Sequence, residues 1–106
     1  MIADGRIPSD EVYSDSRIMV FRDIDPKAPQ HLLVIPKQHI GSCADIDEGN
    51  SEIIAHMFTI MARIARDEGF DKGFRIVSNT GESAGQSVDH LHFHLLAGRQ
   101  FAWPPG

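Results

Sequence analysis

Residues 90–96 read HLHFHLL, and their strict alternation constrains the chain more than any other stretch. A period of two belongs to a β-strand, whose successive side chains point to opposite faces. On that reading Leu91, Phe93 and Leu95 form a core-facing row, and something else in the chain must cover it. His90, His92 and His94 share the other face. Three of the six histidines in the chain therefore lie within five residues. Packing does not ask for this, since Thr, Ser or Lys suits a solvated face equally well. Imidazole is chiefly useful as a ligand, an acid/base or a nucleophile near neutral pH.

The cover for the apolar row is visible in residues 51–69, SEIIAHMFTIMARIARDEG. Ile53, Ile54, Met57, Ile60, Met61 and Ile64 follow the i, i+3, i+4, i+7 pattern of an amphipathic helix. Asn50 or Ser51 can cap its start, and Gly69 suits the position just beyond its end. The remaining segments are β-rich. A short strand follows the turn in IPSDEVYSD, RIMVFRD (17–23) and HLLVIPK (31–37) flank a two-proline loop at 24–30, and GFRIVSN (73–79) precedes a Gly/Ser loop at 80–87. With DHLHFHLLAG (89–98) the order is β-β-β-α-β-β. One helix against a mostly antiparallel five-stranded sheet is an α+β arrangement. A lone helix leaves one sheet face short of cover, so a homodimer is expected.

At 106 residues the chain reads as a single domain, 1–106. No apolar run reaches the roughly 18–20 residues of a membrane span, and the first residues lack a signal peptide's apolar stretch. The single cysteine, Cys43, excludes an internal disulfide framework and a cysteine-based zinc site, and fits a reducing cytoplasm. A net charge of −5 argues against a broad nucleic-acid surface but leaves room for a small anionic ligand in one locally positive pocket.

Two chemistries compete for the histidine row. Alternate histidines can hold zinc, but three successive same-face positions lie nearly in line, roughly 6.5–7 Å apart, and converge on one ion awkwardly. The other chemistry is covalent catalysis at phosphorus, with one imidazole as nucleophile and its neighbours holding its tautomer or neutralising charge. The preceding stretch SNTGESAGQS supports the second. It offers Asn79, Gln86 and Ser87 as donors, and Gly81 and Gly85 let backbone N–H groups approach an oxyanion.

His90 to Leu96 resembles the His-φ-His-φ-His-φ-φ signature (φ apolar) of the histidine triad (HIT) superfamily. FRDIDPKAPQHLLVIPKQHI (21–40) resembles the family's ribose-binding strand, loop and following strand, and GQSVDHLHFHLLAGRQ its active-site loop and strand. The ending WPPG (103–106) resembles that of the Hint branch. The resemblance implies a HIT-like fold whose sheets join across a symmetric homodimer. It also implies hydrolysis of nucleoside 5′-phosphoramidates and acyl-nucleotides, with purine nucleosides preferred and no metal or other cofactor. His92 takes the place of the nucleophile that forms the nucleotidyl-histidine intermediate. His94 takes the phosphate-contacting, proton-handling place, His90 supports the nucleophile, and His31 completes the cluster from the neighbouring strand. Asn79 and Ser87 match residues that contact phosphate and leaving group, with Gly85 and Gln86 beside them. Asp23 matches the carboxylate that accepts the ribose hydroxyls. Phe21, Ile24, Ile2 and Ile7 fall at the base pocket, and Trp103 lies where the branch shapes leaving-group preference.

Three departures stand out. Asp89 occupies a position often aromatic in relatives, and its alternation along the strand is expected to point it away from the imidazoles. Ala97 replaces a frequent glycine, and the first-strand Cys-x-x-Cys pair is absent. Elsewhere plainer roles are expected. His56 reads as a half-exposed helix surface residue and His39 as a structural hydrogen-bonding residue. Met57, Phe58 and Met61 read as core or dimer seam. The competing functions are a dinucleoside polyphosphate hydrolase or nucleotidyl transferase of another HIT branch, a non-catalytic purine-nucleotide-binding adaptor, and a zinc-binding protein.

Overall fold

Alternating apolar residues, one tight turn and one two-proline loop bring the first strands together. In the computed structural model, which describes residues 11–105, these are β1 (Glu11–Ser14), β2 (Ile18–Arg22) and β3 (Gln30–Pro36). Helix α1 (Ser51–Asp67) follows, then β4 (Phe74–Val77) and β5 (Phe93–Ala97). Ile2 and Ile7 lie outside the described residues. The five strands form one sheet in the order β1-β2-β3-β5-β4, every neighbouring pair antiparallel. This is the α+β arrangement expected from the patterning.

The sheet is asymmetric in what its faces carry. Val20, Val34 and Phe93 stand in register on one face, with Ile18, Leu32 and Leu95 beside them. They close on Ile53, Met57, Ile60, Met61 and Ile64 of α1 to form one buried cluster. Burying each such side chain contributes about 1.5–3 kcal/mol. On the opposite face a second row runs Phe21, Leu33, His94, Val77 across four strands. A histidine so placed is held by the ladder on both sides while its ring points away from the core.

The helix ends for local reasons. Gly69, at φ +76°, takes the left-handed position, and its N–H reaches the Arg66 carbonyl while that of Phe70 reaches Ala65. That pair of hydrogen bonds is a Schellman closure, and it buries Phe70 against the core. The start differs from expectation. Asn50 is the N-cap residue, but its side chain does not cap α1. It accepts instead from the Asp47 N–H and donates to the Asp45 carbonyl, closing the preceding turn.

Two further expectations change. His56 is more than a surface residue, because its Nε2 meets an Asp15 carboxylate oxygen at 2.6 Å and ties α1 to the β1–β2 turn. The last strand is also shorter than 89–98. Its ladder with β3 begins at the Val34–Phe93 pair. Before that point the chain turns off: the Leu91 N–H goes to the Ile40 carbonyl, and the Pro36 carbonyl is taken by the His90 ring. His90, Leu91 and His92 therefore precede the strand, and only His94 stands within it.

Candidate active site

The β3–β5 register brings the first pair of imidazoles together. His31 faces Leu96 and Leu33 faces His94, so the two histidines share a face on the diagonal. His31 Nε2 lies 2.8 Å from His94 Nδ1. Asp23 follows β2, where its N–H donates to the His31 carbonyl, and its carboxylate stands 3.5 Å from His31 Nε2. Asp23, Asp25, Lys27, His31, Val77, Asn79, His94 and Leu96 line one cavity of about 430 Å³. Lys27 is paired with Asp25 at 2.6 Å, so its charge is already met at the rim.

The hydrogen bonds assign the tautomers. The Lys27 backbone N–H donates to His31 Nδ1, which must therefore offer a lone pair. Neutral His31 then carries its proton on Nε2 and donates it to His94 Nδ1. His94 in turn carries its own proton on Nε2. His92 has the opposite arrangement: its Nδ1 donates to the His90 main-chain carbonyl at 2.9 Å, leaving Nε2 with a lone pair. The His92 and His94 rings meet edge to face, 5.1 Å apart. The two adjacent imidazoles are thus in complementary states, one with a bare Nε2 and one with a protonated Nε2.

Burial lowers the pKa of both histidines in the strand pair. Desolvation is the main cause for His31, partly opposed by Asp23. For His94 desolvation acts first and the neighbouring His92 and His31 add to it, which puts its pKa at about 4. Both imidazoles are neutral at physiological pH.

His90 stands apart from the other two. It is buried, its Nε2 donates to the Pro36 carbonyl, and its Nδ1 faces His39. The one-sided row of three imidazoles expected from the alternation is therefore not realised, and His90 touches His92 through its backbone. The remaining expected residues divide. Asp23 and Asn79 line the cavity, and Phe21 lies in the row beside it. Gly85 and Ser87 are exposed on the loop before β5 and do not line the cavity. Gln86 has its amide engaged elsewhere, accepting from the Gly81 N–H and donating to the Gly41 and Val88 carbonyls. It holds the loop rather than presenting a donor to a phosphate. Ile24 and Trp103 are 94% and 82% exposed. Asp89 faces the 41–45 turn, where a Cβ on Gly41 would meet its carboxylate at 3.2 Å and that of Asp45 at 2.7 Å.

Sequence reading did not single out Lys27, whose backbone sets the His31 tautomer. A main-chain donor leaves no mark in residue type. Ser78, whose hydroxyl donates to the His92 carbonyl at 2.9 Å, was equally silent.

Asp23, His31 and His94 also place one ligand atom each within 4.8 Å of one another, close enough to share a metal ion. A neutral imidazole that binds metal through one nitrogen keeps a proton on the other. Metal on His31 Nε2 would put that proton on Nδ1, against the Lys27 N–H that now donates there at 3.0 Å. A zinc ion on His31 Nε2 would have to break this contact, whereas one proton shared between His31 and His94 keeps it.

Comparison with known proteins places this geometry among relatives. The HIT domain matches residues 4–101. The chain is 46% identical to a 14 kDa zinc-binding protein of Zea mays, over 99% of this chain and 84% of that one. It superposes on the crystal structure of a HIT family hydrolase from Legionella pneumophila with TM-score 0.93 and 46% identity, covering 99% of this chain and 95% of that one. A histidine triad nucleotide-binding protein of Candida albicans matches with TM-score 0.78 and 28% identity, over 97% of this chain and 79% of that one.

Proposed function

The chain belongs to the HIT domain family, and from that premise we propose that it hydrolyses nucleoside 5′-phosphoramidates and acyl-nucleotides, purine nucleotides foremost, with His92 as nucleophile. The observation that carries this reading is the His92 Nδ1–His90 carbonyl bond. It leaves Nε2 as the attacking lone pair and stabilises the positive ring once Nε2 is bonded to phosphorus.

In the first step His92 Nε2 attacks the α-phosphorus, and the bond from phosphorus to the leaving amine breaks. The amine must depart protonated. The acid is His94, with His31 behind it. Both are neutral in the free protein, and a phosphate anion beside His94 offsets the burial that lowers its pKa, so substrate binding loads a proton on the pair. It enters at His31 Nδ1 as the Lys27 N–H yields, His31 Nε2 passes its own proton to His94 Nδ1, and His94 Nε2 gives its proton to the amine. In the second step His94 takes a proton from water, the hydroxyl attacks phosphorus, and the His92–phosphorus bond breaks to release the nucleoside 5′-monophosphate. Asp23 accepts hydrogen bonds from the ribose hydroxyls, and Asn79 donates one to the phosphate. No metal is required where imidazole and amide donors meet the developing charge.

The rim favours this substrate class over dinucleoside polyphosphates. Lys27 is its one cation among the lining residues and is already paired with Asp25. A second phosphate tail would meet Asp23 and Asp25. We extend the proposal to a homodimer through β4, one of the sheet's two edge strands, where Phe74 is half-exposed, with Phe58 of α1 equally open beside Phe93.

The deciding experiment follows AMP release from adenosine 5′-phosphoramidate by the wild type and by His92→Gly. Wild-type turnover and an inert variant are expected. No AMP from the wild type would leave a nucleotide-binding adaptor as the reading, and equal turnover by the variant would remove His92 from its role. Faster cleavage of diadenosine polyphosphate would move the chain to the other branch. A monomer mass by light scattering would overturn the dimer.

A further inference from the structure

His39 lies outside the cavity, on the exposed segment after β3. We infer that it is a positioning residue for His92, acting through His90; the inference rests on the reading of His92 as nucleophile.

The chain of contacts is explicit. The His90 ring is buried between two partners, with Nε2 at 2.8 Å from the Pro36 carbonyl and Nδ1 at 3.2 Å from His39 Nδ1. A carbonyl oxygen only accepts, so His90 carries its proton on Nε2, and its Nδ1 is a buried lone pair. Among the described residues the donor that meets it is His39 Nδ1–H. The two rings lie 5.2 Å apart, tilted by 50°, so the contact is made by ring edges as well as by one bond.

The consequence runs through the backbone. His90 sits where the chain has already left the β5 ladder, and its side-chain bonds replace the sheet as what anchors this segment. Its carbonyl is the acceptor that assigns the His92 tautomer. Removing the His39 donor leaves a buried nitrogen unpaired. The His90 ring then relieves this by turning or by taking up a proton, and either response disturbs the Pro36 bond and the carbonyl behind His92. His39 makes no contact with the cavity residues Asp23, His31, Asn79 and His94 to which the ribose and phosphate contacts are assigned, so KM is expected to be spared.

Amide side chains give a sharp test, because Asn reproduces a donor at the Nδ1 position of histidine and Gln one at Nε2. With adenosine 5′-phosphoramidate, His39→Ala and His39→Gln are expected to lose about tenfold in kcat with KM unchanged, and His39→Asn to return within about threefold of wild type. The second readout needs no turnover. Two-dimensional ¹⁵N–¹H spectra of the imidazoles should show His92 protonated on Nδ1 in the wild type and in His39→Asn, and a mixture of tautomers in His39→Ala. Unchanged kcat together with an unchanged His92 tautomer in His39→Ala would overturn the inference, as would equal rescue by Gln and Asn. If His39→Ala fails to fold, the isosteric Gln and Asn variants decide. An inert wild type would sink the phosphoramidase reading, and the tautomer spectra would still decide the role of His39.

Discussion

His31 Nε2 and His94 Nδ1 stand 2.8 Å apart although 63 residues separate them in the chain. The pairing exists because β3 and β5 are sheet neighbours despite the intervening helix and β4. It places one proton between two imidazoles in partly desolvated surroundings, next to the Asp23 carboxylate. A group so placed resists charging until an anion arrives.

That arrangement sets a pH dependence. The His94 pKa falls from 6.5 unfolded to about 4 folded, so between those values the unfolded chain binds a proton that the folded chain does not. Its contribution to stability is present above about 6.5 and declines as pH falls toward about 4. Denaturant titrations of wild type and His94→Gln across this window should show a shallower decline in the variant. Imidazole NMR should place the His94 titration near 4 in the free protein, and AMP should raise it. A midpoint unmoved by AMP would remove the acid from the proposed mechanism.

Asp23 provides a test of the ribose edge. Its Oδ1 accepts the Asp25 N–H at 2.8 Å, while Oδ2 faces His31. Asp23→Asn keeps an acceptor for the turn and removes the charge that would receive two hydroxyls. KM for adenosine 5′-phosphoramidate is expected to rise about tenfold, the size of one charge-assisted hydrogen bond. With the 2′,3′-dideoxy analogue, wild type and variant should have equal KM.

Asp15 is expected to matter for stability and not for chemistry. Its carboxylate accepts the Arg17 and Ile18 N–H groups, the Tyr13 hydroxyl and His56 Nε2. Burial pushes its pKa upward, but these four donors, His56 first, hold it well below the usual carboxylate range. Asp15→Ala leaves the donors without their acceptor and should cost about 2–4 kcal/mol in urea unfolding. His56→Ala, which removes one partly exposed pair, should cost about 1 kcal/mol or less. Turnover per folded molecule should be unchanged in both.

Gly98 is required by both conformation and space. Its φ is +98°, and a Cβ there would meet Pro29 Cβ at 2.9 Å. Gly98→Ala should destabilise the fold by about 1–3 kcal/mol and lower the melting temperature. An unchanged melting temperature would show that the 24–30 loop yields.

The helix was legible because an apolar stripe at 3.6-residue spacing has one stable solution, an amphipathic helix over a sheet. Leu91, Phe93 and Leu95 were legible as core for the same kind of reason, and all three are buried. Alternation misled at His90, because a strand needs a partner as well as a pattern. Leu91 found Ile40 instead of the ladder, so the three imidazoles did not line up. The Asn50 cap misled similarly, since an amide near a turn has several backbone partners within reach.

The sequence by itself therefore determined the helix, the order of strands and helix along the chain, and the core-facing rows. These follow from periodicity and residue chemistry, which are local. Only the tertiary structure decided the tautomers. They depend on which nitrogen meets the Lys27 N–H, the Pro36 carbonyl or the His90 carbonyl. Those partners are backbone atoms, common to nearly every residue type, and their positions follow from strand register and turn geometry rather than from the side chains that the sequence spells out.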